Sequence, residues 1–208
     1  MVSAFDYFEP FGITGWYYEP LICIIDPSPE FRYYSIHAVK LWENAFNKHG
    51  IYNYNYRIAI LDEAENKCDV TVNFVDRNKV LTRSHGQTDV GHTTCLETGN
   101  VFHINELIRK GARGCSIYVN TDYEGGKRLY VTVVHEVGHT LGIGHRLPDQ
   151  VESFPFLVMT KDIMNPHLQQ KPTITEESYL ALNYFYNNSG WNGLTDKGNY
   201  IVQHPPIR

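Results

Sequence analysis

Residues 135–145 read His135-Glu136-Val137-Gly138-His139-Thr140-Leu141-Gly142-Ile143-Gly144-His145, and the spacing of the three histidines constrains how the chain around them must fold. On a helix, residues i and i+4 lie on one face, one turn apart. His135 and His139 can therefore aim their imidazoles at one ion. Glu136 is offset by about 100° on the helical wheel. It does not share the ligand position, but it can reach a water held by the ion. Gly142 sits three residues past His139, where a helix can end in a left-handed conformation that glycine tolerates. The chain can then turn and present His145 to the same ion.

Three neutral imidazoles leave a fourth position open, which distinguishes a catalytic zinc from a closed structural one. Zinc lowers the pKa of its bound water to about 7 and so supplies a nucleophile at neutral pH. Glu136 is the expected general base, taking the water's proton and later passing it to the leaving amine. Any one of these histidines alone is better read as a core or surface residue. Together the pattern fixes five positions, which chance produces in roughly one chain in a thousand or fewer at ordinary residue frequencies. The expected metal ligands are thus His135, His139 and His145.

Working outward, residues 127–141 read as one helix, with Val134, Val137 and Leu141 at core-facing spacing. Upstream, Leu21-Ile22-Cys23-Ile24-Ile25 is a short apolar run closed by Asp26-Pro27 and reads as a buried strand. Residues 29–48 read as a helix with Val39, Trp42, Ala45 and Phe46 on one face, stopping at Gly50. Residues 56–61, 70–75, 101–104 and 116–119 are strand candidates, and 76–100 is a polar connecting stretch. Downstream, 176–186 reads as a helix with Thr175 as N-cap and Glu176 and Glu177 in its first turn. This order predicts an α+β or α/β domain, a twisted sheet carrying its helices. We expect an aromatic N-terminal extension over 1–19, the main domain over 20–188 and a tail over 189–208.

Composition narrows the classes. The 208 residues carry a formal charge of −5 and no basic patch, which argues against a nucleic-acid partner. No apolar run reaches the ~20 residues of a membrane span. The first residues lack the charged and apolar regions of a signal peptide, so the chain is either intracellular or a mature secreted form; the extracellular reading is preferred. Cys23, Cys68, Cys95 and Cys115 form no CxxC pair; two disulfides in one of three connectivities and buried free thiols both remain open.

The stretch from His135 to His145 resembles the signature of the metzincin clan of zinc peptidases, H-E-x-x-H-x-x-G-x-x-H followed by a methionine-containing turn. Asp162-Ile163-Met164-Asn165-Pro166 is the candidate turn, with Met159 a weaker one. The resemblance implies that Met164 forms an apolar floor beneath the histidines without binding metal. It also implies a sheet-containing upper subdomain, a smaller lower one after Gly142 with one helix, and a cleft between them. Within the clan the Met-x-Pro turn looks most like the matrixins. Pro166 stands where astacins and serralysins carry a tyrosine, and Arg146 stands where matrixins usually carry serine. A divergent microbial matrixin-like enzyme, acting as a monomer on proteins or peptides, is the expectation.

The resemblance also raises a second, structural zinc. His85, His92 and His103, with Asp89 nearby, match it in residue type but with tighter spacing, and their plain reading is surface histidines. No calcium-loop motif is present, although carbonyl calcium sites cannot be read from sequence. Asn187-Asn188-Ser189 is a glycosylation sequon, incidental in most chains. The leader, Phe5 to Tyr18, is expected to pack on the domain; coordination of the zinc by Asp6 or Glu9 is the alternative. Pro166 and His167 would line the substrate pocket, and Phe154, Phe156, Leu157 and Val158 favour an apolar one. Two rival functions stand beside a general endopeptidase: a processing peptidase of narrow specificity, and a zinc-containing binding module without catalysis. Glu136 speaks against the second, since an inert module has no evident need of a base beside the metal.

Overall fold

The structure is a computed structural model that describes residues 8–10, 16, 20–25, 27–48, 57–61, 68–76, 90–104, 107–121, 126–146, 161–165 and 173–185. Its elements are β1 (Phe8–Pro10), β2 (Leu21–Ile25), α1 (Pro29–Lys48), β3 (Arg57–Leu61), β4 (Val70–Val75), β5 (Gly91–Ile104), β6 (Leu107–Asn120), α2 (Gly126–Thr140), β7 (Ile143–Arg146) and α3 (Glu176–Phe185). Five strands form one mixed sheet in the order β3-β2-β4-β6-β5. The first four run parallel, and β5 closes the edge antiparallel to β6. The fold is mixed α/β, compatible with the α+β class.

The apolar run of β2 is explained by its place. It pairs with β3 on one side and β4 on the other, and Ile22, Cys23 and Ile24 are all fully buried, as expected of a strand inside a parallel sheet. Helix α1 starts at Pro29, whose missing N–H costs nothing in the first turn. Ser28 Oγ accepts a hydrogen bond from the Phe31 N–H at 3.2 Å, the geometry of an N-cap. Of the predicted inner face of α1, Val39, Trp42 and Ala45 are buried, and Ala38 joins them; the Phe46 side chain lies outside what the structure describes. Its start is also tied to the sheet by Phe31, whose ring stacks on Phe74 of β4 at 4.6 Å.

Helix α2 lies against α1, β5 and β6. Every residue from Val131 to Leu141 is buried, so α2 is a core helix and not a surface one with a single apolar stripe. Its interior rows, Val133, Val134, Val137 and Leu141, join Ile117, Val119 and Trp42 in one cluster.

Two differences from the sequence reading concern strands. The stretch 76–100 is not all connection: β5 begins at Gly91, and β5 and β6 each extend well beyond the short strands expected. Among the described residues β5 pairs with β6 alone, at the edge of the sheet, and polar residues suit its open surface; Thr94 and Leu96 are exposed. The second difference is a separate two-stranded sheet. Within the leader, β1 pairs antiparallel with β7, setting Phe8 opposite Arg146 and Pro10 opposite Ile143. The leader is thereby joined to the strand that carries His145.

Cysteine pairing is settled as Cys23–Cys68 and Cys95–Cys115, the second joining facing positions on β5 and β6. Such pairs fit an oxidising environment of the extracellular type. Among the described residues, no helix is long and apolar enough to cross a membrane.

Candidate metal centre

His135 and His139 project from consecutive turns of α2, and His145 comes from β7. The connection works as the spacing implies: α2 ends at Thr140, and Gly142 takes a φ of 91°. This is the left-handed region that glycine enters without a Cβ clash. The Gly142 N–H donates to the His139 carbonyl at 2.9 Å, closing the turn. The ring of His145 then lies 5.3 Å from that of His135 and 4.8 Å from that of His139. One ligand atom from each of the three falls within 4.8 Å of the others, the only such group of potential ligands among the described residues.

The hydrogen bonds on the far side of the rings decide what the near side can do. His135 Nδ1 lies 2.7 Å from the Ile163 carbonyl oxygen, and His139 Nδ1 lies 2.7 Å from that of Ile143. A carbonyl can only accept, so each Nδ1 carries the proton and each Nε2 presents a lone pair. The two Nε2 atoms face one another at 3.1 Å. With neither bearing hydrogen this is not a hydrogen bond; the two lone pairs face one another, an arrangement that could hold a cation between them. Two nitrogens bound tetrahedrally at zinc–nitrogen distances of 2.0–2.1 Å would stand about 3.3 Å apart. The donor set and its spacing therefore fit zinc. Burial, followed by the neighbouring His135 and His145, holds the His139 pKa well below its ordinary value, which keeps that imidazole in the neutral form a metal requires.

The turn beneath the histidines is braced by Asp162. Its buried carboxylate accepts from the Met164 N–H at 2.7 Å, the Thr175 N–H at 3.3 Å, the Ser178 hydroxyl at 2.7 Å and the Thr175 hydroxyl. Thr175 stands at the head of α3 as expected, with its hydroxyl drawn to Asp162. The same turn is fastened to β7 by the Arg146 N–H, which donates to the Met164 carbonyl at 2.8 Å. Ile163, which orients His135, is thus held from both sides. Met164 is fully buried against Gly138, between the two helical histidines in sequence. A Cβ at Gly138 would overlap Met164 Sδ, so the glycine lets the turn approach the helix.

Glu136 faces β5. Its Oε2 accepts from the Thr93 hydroxyl at 2.6 Å, and both residues are buried. Sequence reasoning did not single out Thr93 or Gly91, and it named Gly138 and Asp162 only as members of the helix motif and the methionine turn, without these roles. Thr93 and Gly91 lie in what read as a polar connection, and nothing local marks them.

Of the weaker candidates, His92 and His103 sit toward opposite ends of β5, opposite Tyr118 and Ile108 respectively. Eleven positions and two register irregularities separate them along the strand. His92 has its Nε2 3.1 Å from the Thr94 hydroxyl. His85, Asp89, Asp6, Met159, Pro166, His167, the segment from Phe154 to Val158 and the sequon at Asn187 lie outside the described residues; Glu9 falls in β1. A scan against family models gives no match for this chain, and neither does a search of curated proteins.

Proposed function

We propose that the chain is a zinc-dependent endopeptidase of the metzincin kind, most similar to a divergent matrixin, hydrolysing peptide bonds in proteins or peptides. The observation that carries this reading is the pair of opposed Nε2 atoms at 3.1 Å, each made a lone-pair donor by its own carbonyl contact, with His145 beside them. His135, His139 and His145 would hold the ion. When bound, zinc would supply Lewis acidity toward a water and a substrate carbonyl. Glu136, next to His135 on the helix, is the base: its carboxylate takes a proton from the attacking water and delivers it to the leaving nitrogen. Burial of Glu136 strengthens that exchange by excluding bulk water. The two disulfides support an extracellular site of action.

The test is cleavage of casein or gelatin, with and without a chelator, alongside metal analysis. We expect one zinc per chain, cleavage lost on chelation and restored by zinc. In Glu136→Ala the zinc should remain bound while turnover falls by about 10²–10⁴-fold. Cleavage by protein shown to contain no metal refutes the reading. Cleavage confined to a few defined peptides would favour a processing peptidase.

A further inference from the structure

The catalytic base proposed above is not held by its own helix alone. Glu136 is buried at 5% exposure, and a buried carboxyl group needs hydrogen-bond partners. One partner comes from β5, 43 residues away. Thr93 Oγ1 lies 2.6 Å from Glu136 Oε2 and 3.2 Å from the Glu136 main-chain oxygen. A hydroxyl has one proton, and it goes to the shorter contact with the charged acceptor. The same strand shapes the other side of the carboxylate. A Cβ at Gly91 would stand 2.7 Å from Glu136 Oε1, 2.9 Å from its Cγ and 2.5 Å from Thr132 Cγ2. The Glu136 side chain therefore fills space that exists because residue 91 has no side chain. Gly91 and Thr93 alternate correctly for this, since residues two apart on a strand share a face. The strand itself is fixed to β6 two residues further on, by Cys95–Cys115.

We propose that Thr93 is a positioning residue for Glu136: its hydroxyl holds Oε2 and fixes the carboxylate plane, with Gly91 leaving the room in which Oε1 sits. The inference rests on the peptidase reading. Its physical basis is the geometric demand of proton transfer, which needs heavy atoms about 2.6–3.2 Å apart. Glutamate turns about three side-chain torsions, and a displacement of about 1 Å at a reacting group costs on the order of 10²-fold in rate. Thr93 removes that freedom from outside the helix, through its hydrogen bond to Glu136.

The experiment compares Thr93→Val, Thr93→Ser and Glu136→Ala with wild type in three measurements: steady-state cleavage of one peptide, zinc affinity by competition with a chelator, and urea unfolding of the zinc-free proteins. Thr93→Val keeps the shape and removes the hydroxyl. We expect its kcat to fall about 10–100-fold with KM within about twofold, and zinc affinity unchanged. Thr93→Ser restores the donor and should recover most of kcat. In the unfolding arm, a charge-assisted hydrogen bond should make Thr93→Val and Glu136→Ala non-additive by roughly tenfold or more in the unfolding constant. A merely structural role for Thr93 would move stability and leave Ser and Val alike in kcat. Wild-type cleavage lost in Glu136→Ala but retained in Thr93→Val overturns the inference alone, as do additive unfolding constants. Absence of cleavage by zinc-loaded wild type overturns the peptidase reading and the inference together.

Discussion

Replacing Gly138 by alanine sets two effects against each other within the metal-binding helix. On propensity alone the change should help, since alanine is favoured over glycine by about 0.8–1 kcal/mol in a helix interior. The packing opposes it. The added methyl would overlap Met164 Sδ and stand 3.0 Å from Met164 Cε and 2.9 Å from Trp42 Cζ2, where carbon contacts normally settle at about 3.5–4.0 Å. Neither neighbour yields freely. The Trp42 indole is fixed by its N–H, which donates to the Val134 carbonyl at 2.8 Å. The Met164 backbone is held at its N–H by Asp162 and at its carbonyl by Arg146. Only the methionine side chain can swing, inside a fully buried site. Overpacking of this kind costs about 1–3 kcal/mol, so the net effect should be a loss of up to about 2 kcal/mol, or a Tm lower by up to roughly 8 °C for a chain of this size. Zinc affinity should fall too, since the displaced turn carries the Ile163 carbonyl that orients His135. The assay is urea unfolding of zinc-free protein, with Met164→Ala and the double variant completing a cycle. Met164→Ala alone should cost about 2–5 kcal/mol. The double variant should be less damaged than the sum by more than ~1 kcal/mol, because the new methyl enters vacated space. A stabilised single variant, or strict additivity, would refute the packing argument.

Three further outcomes are expected. In zinc-free protein the His139 pKa is held well below 6.5, first by burial and then by His135 and His145. The unfolded chain therefore binds more protons, and stability should be full above about pH 6.5 and decline as pH falls below it; a Tm no more pH-dependent than that of His139→Asn would contradict this. Asp162→Ala strands two N–H groups and two hydroxyls, so it should cost about 3–5 kcal/mol in urea melts and weaken zinc binding by about 10–100-fold, whereas unchanged affinity would show that the turn does not orient His135. Reducing the disulfides opens links of sequence separation 45 and 20, worth about 4 and about 3 kcal/mol by loop entropy, and a calorimetric Tm unmoved by a reductant that demonstrably frees all four thiols would show that the links constrain little.

The parts legible in sequence were those fixed by local geometry. The facing of His135 and His139 follows from 3.6 residues per turn, and the positive φ of Gly142 follows from the short reach between a helix end and His145. The burial of Trp42, Val134, Val137 and Leu141 was written in their spacing. Contacts that bridge distant segments had no such signature. Thr93 meets Glu136 across 43 residues, and a threonine in a polar stretch looks like any other. The extent of β5 was hidden because an edge strand with a solvent-facing side lacks the apolar run that exposed β2. The cysteine pairing depended on strand order, which brings Cys95 opposite Cys115 only once β5 folds back on β6. The pairing of β1 with β7 required a partner that is itself only four residues long.

Trp16 and Trp42 are both fully buried, and each gives its indole N–H to the backbone of the same helix, Trp16 to the Thr140 carbonyl at 2.9 Å and Trp42 to the Val134 carbonyl at 2.8 Å. The two acceptors bracket the turn and a half that carries His135 and His139. Indole emission depends on the polarity around the ring, so the optical properties of this protein are coupled to the docking of α2. Any event that loosens the helix from the sheet admits water at one or both rings and moves the emission to the red. The part of the emission that comes from Trp16 and Trp42, two of the three tryptophans, therefore follows the docking of the helix that carries the metal centre, without substrate and without an added label.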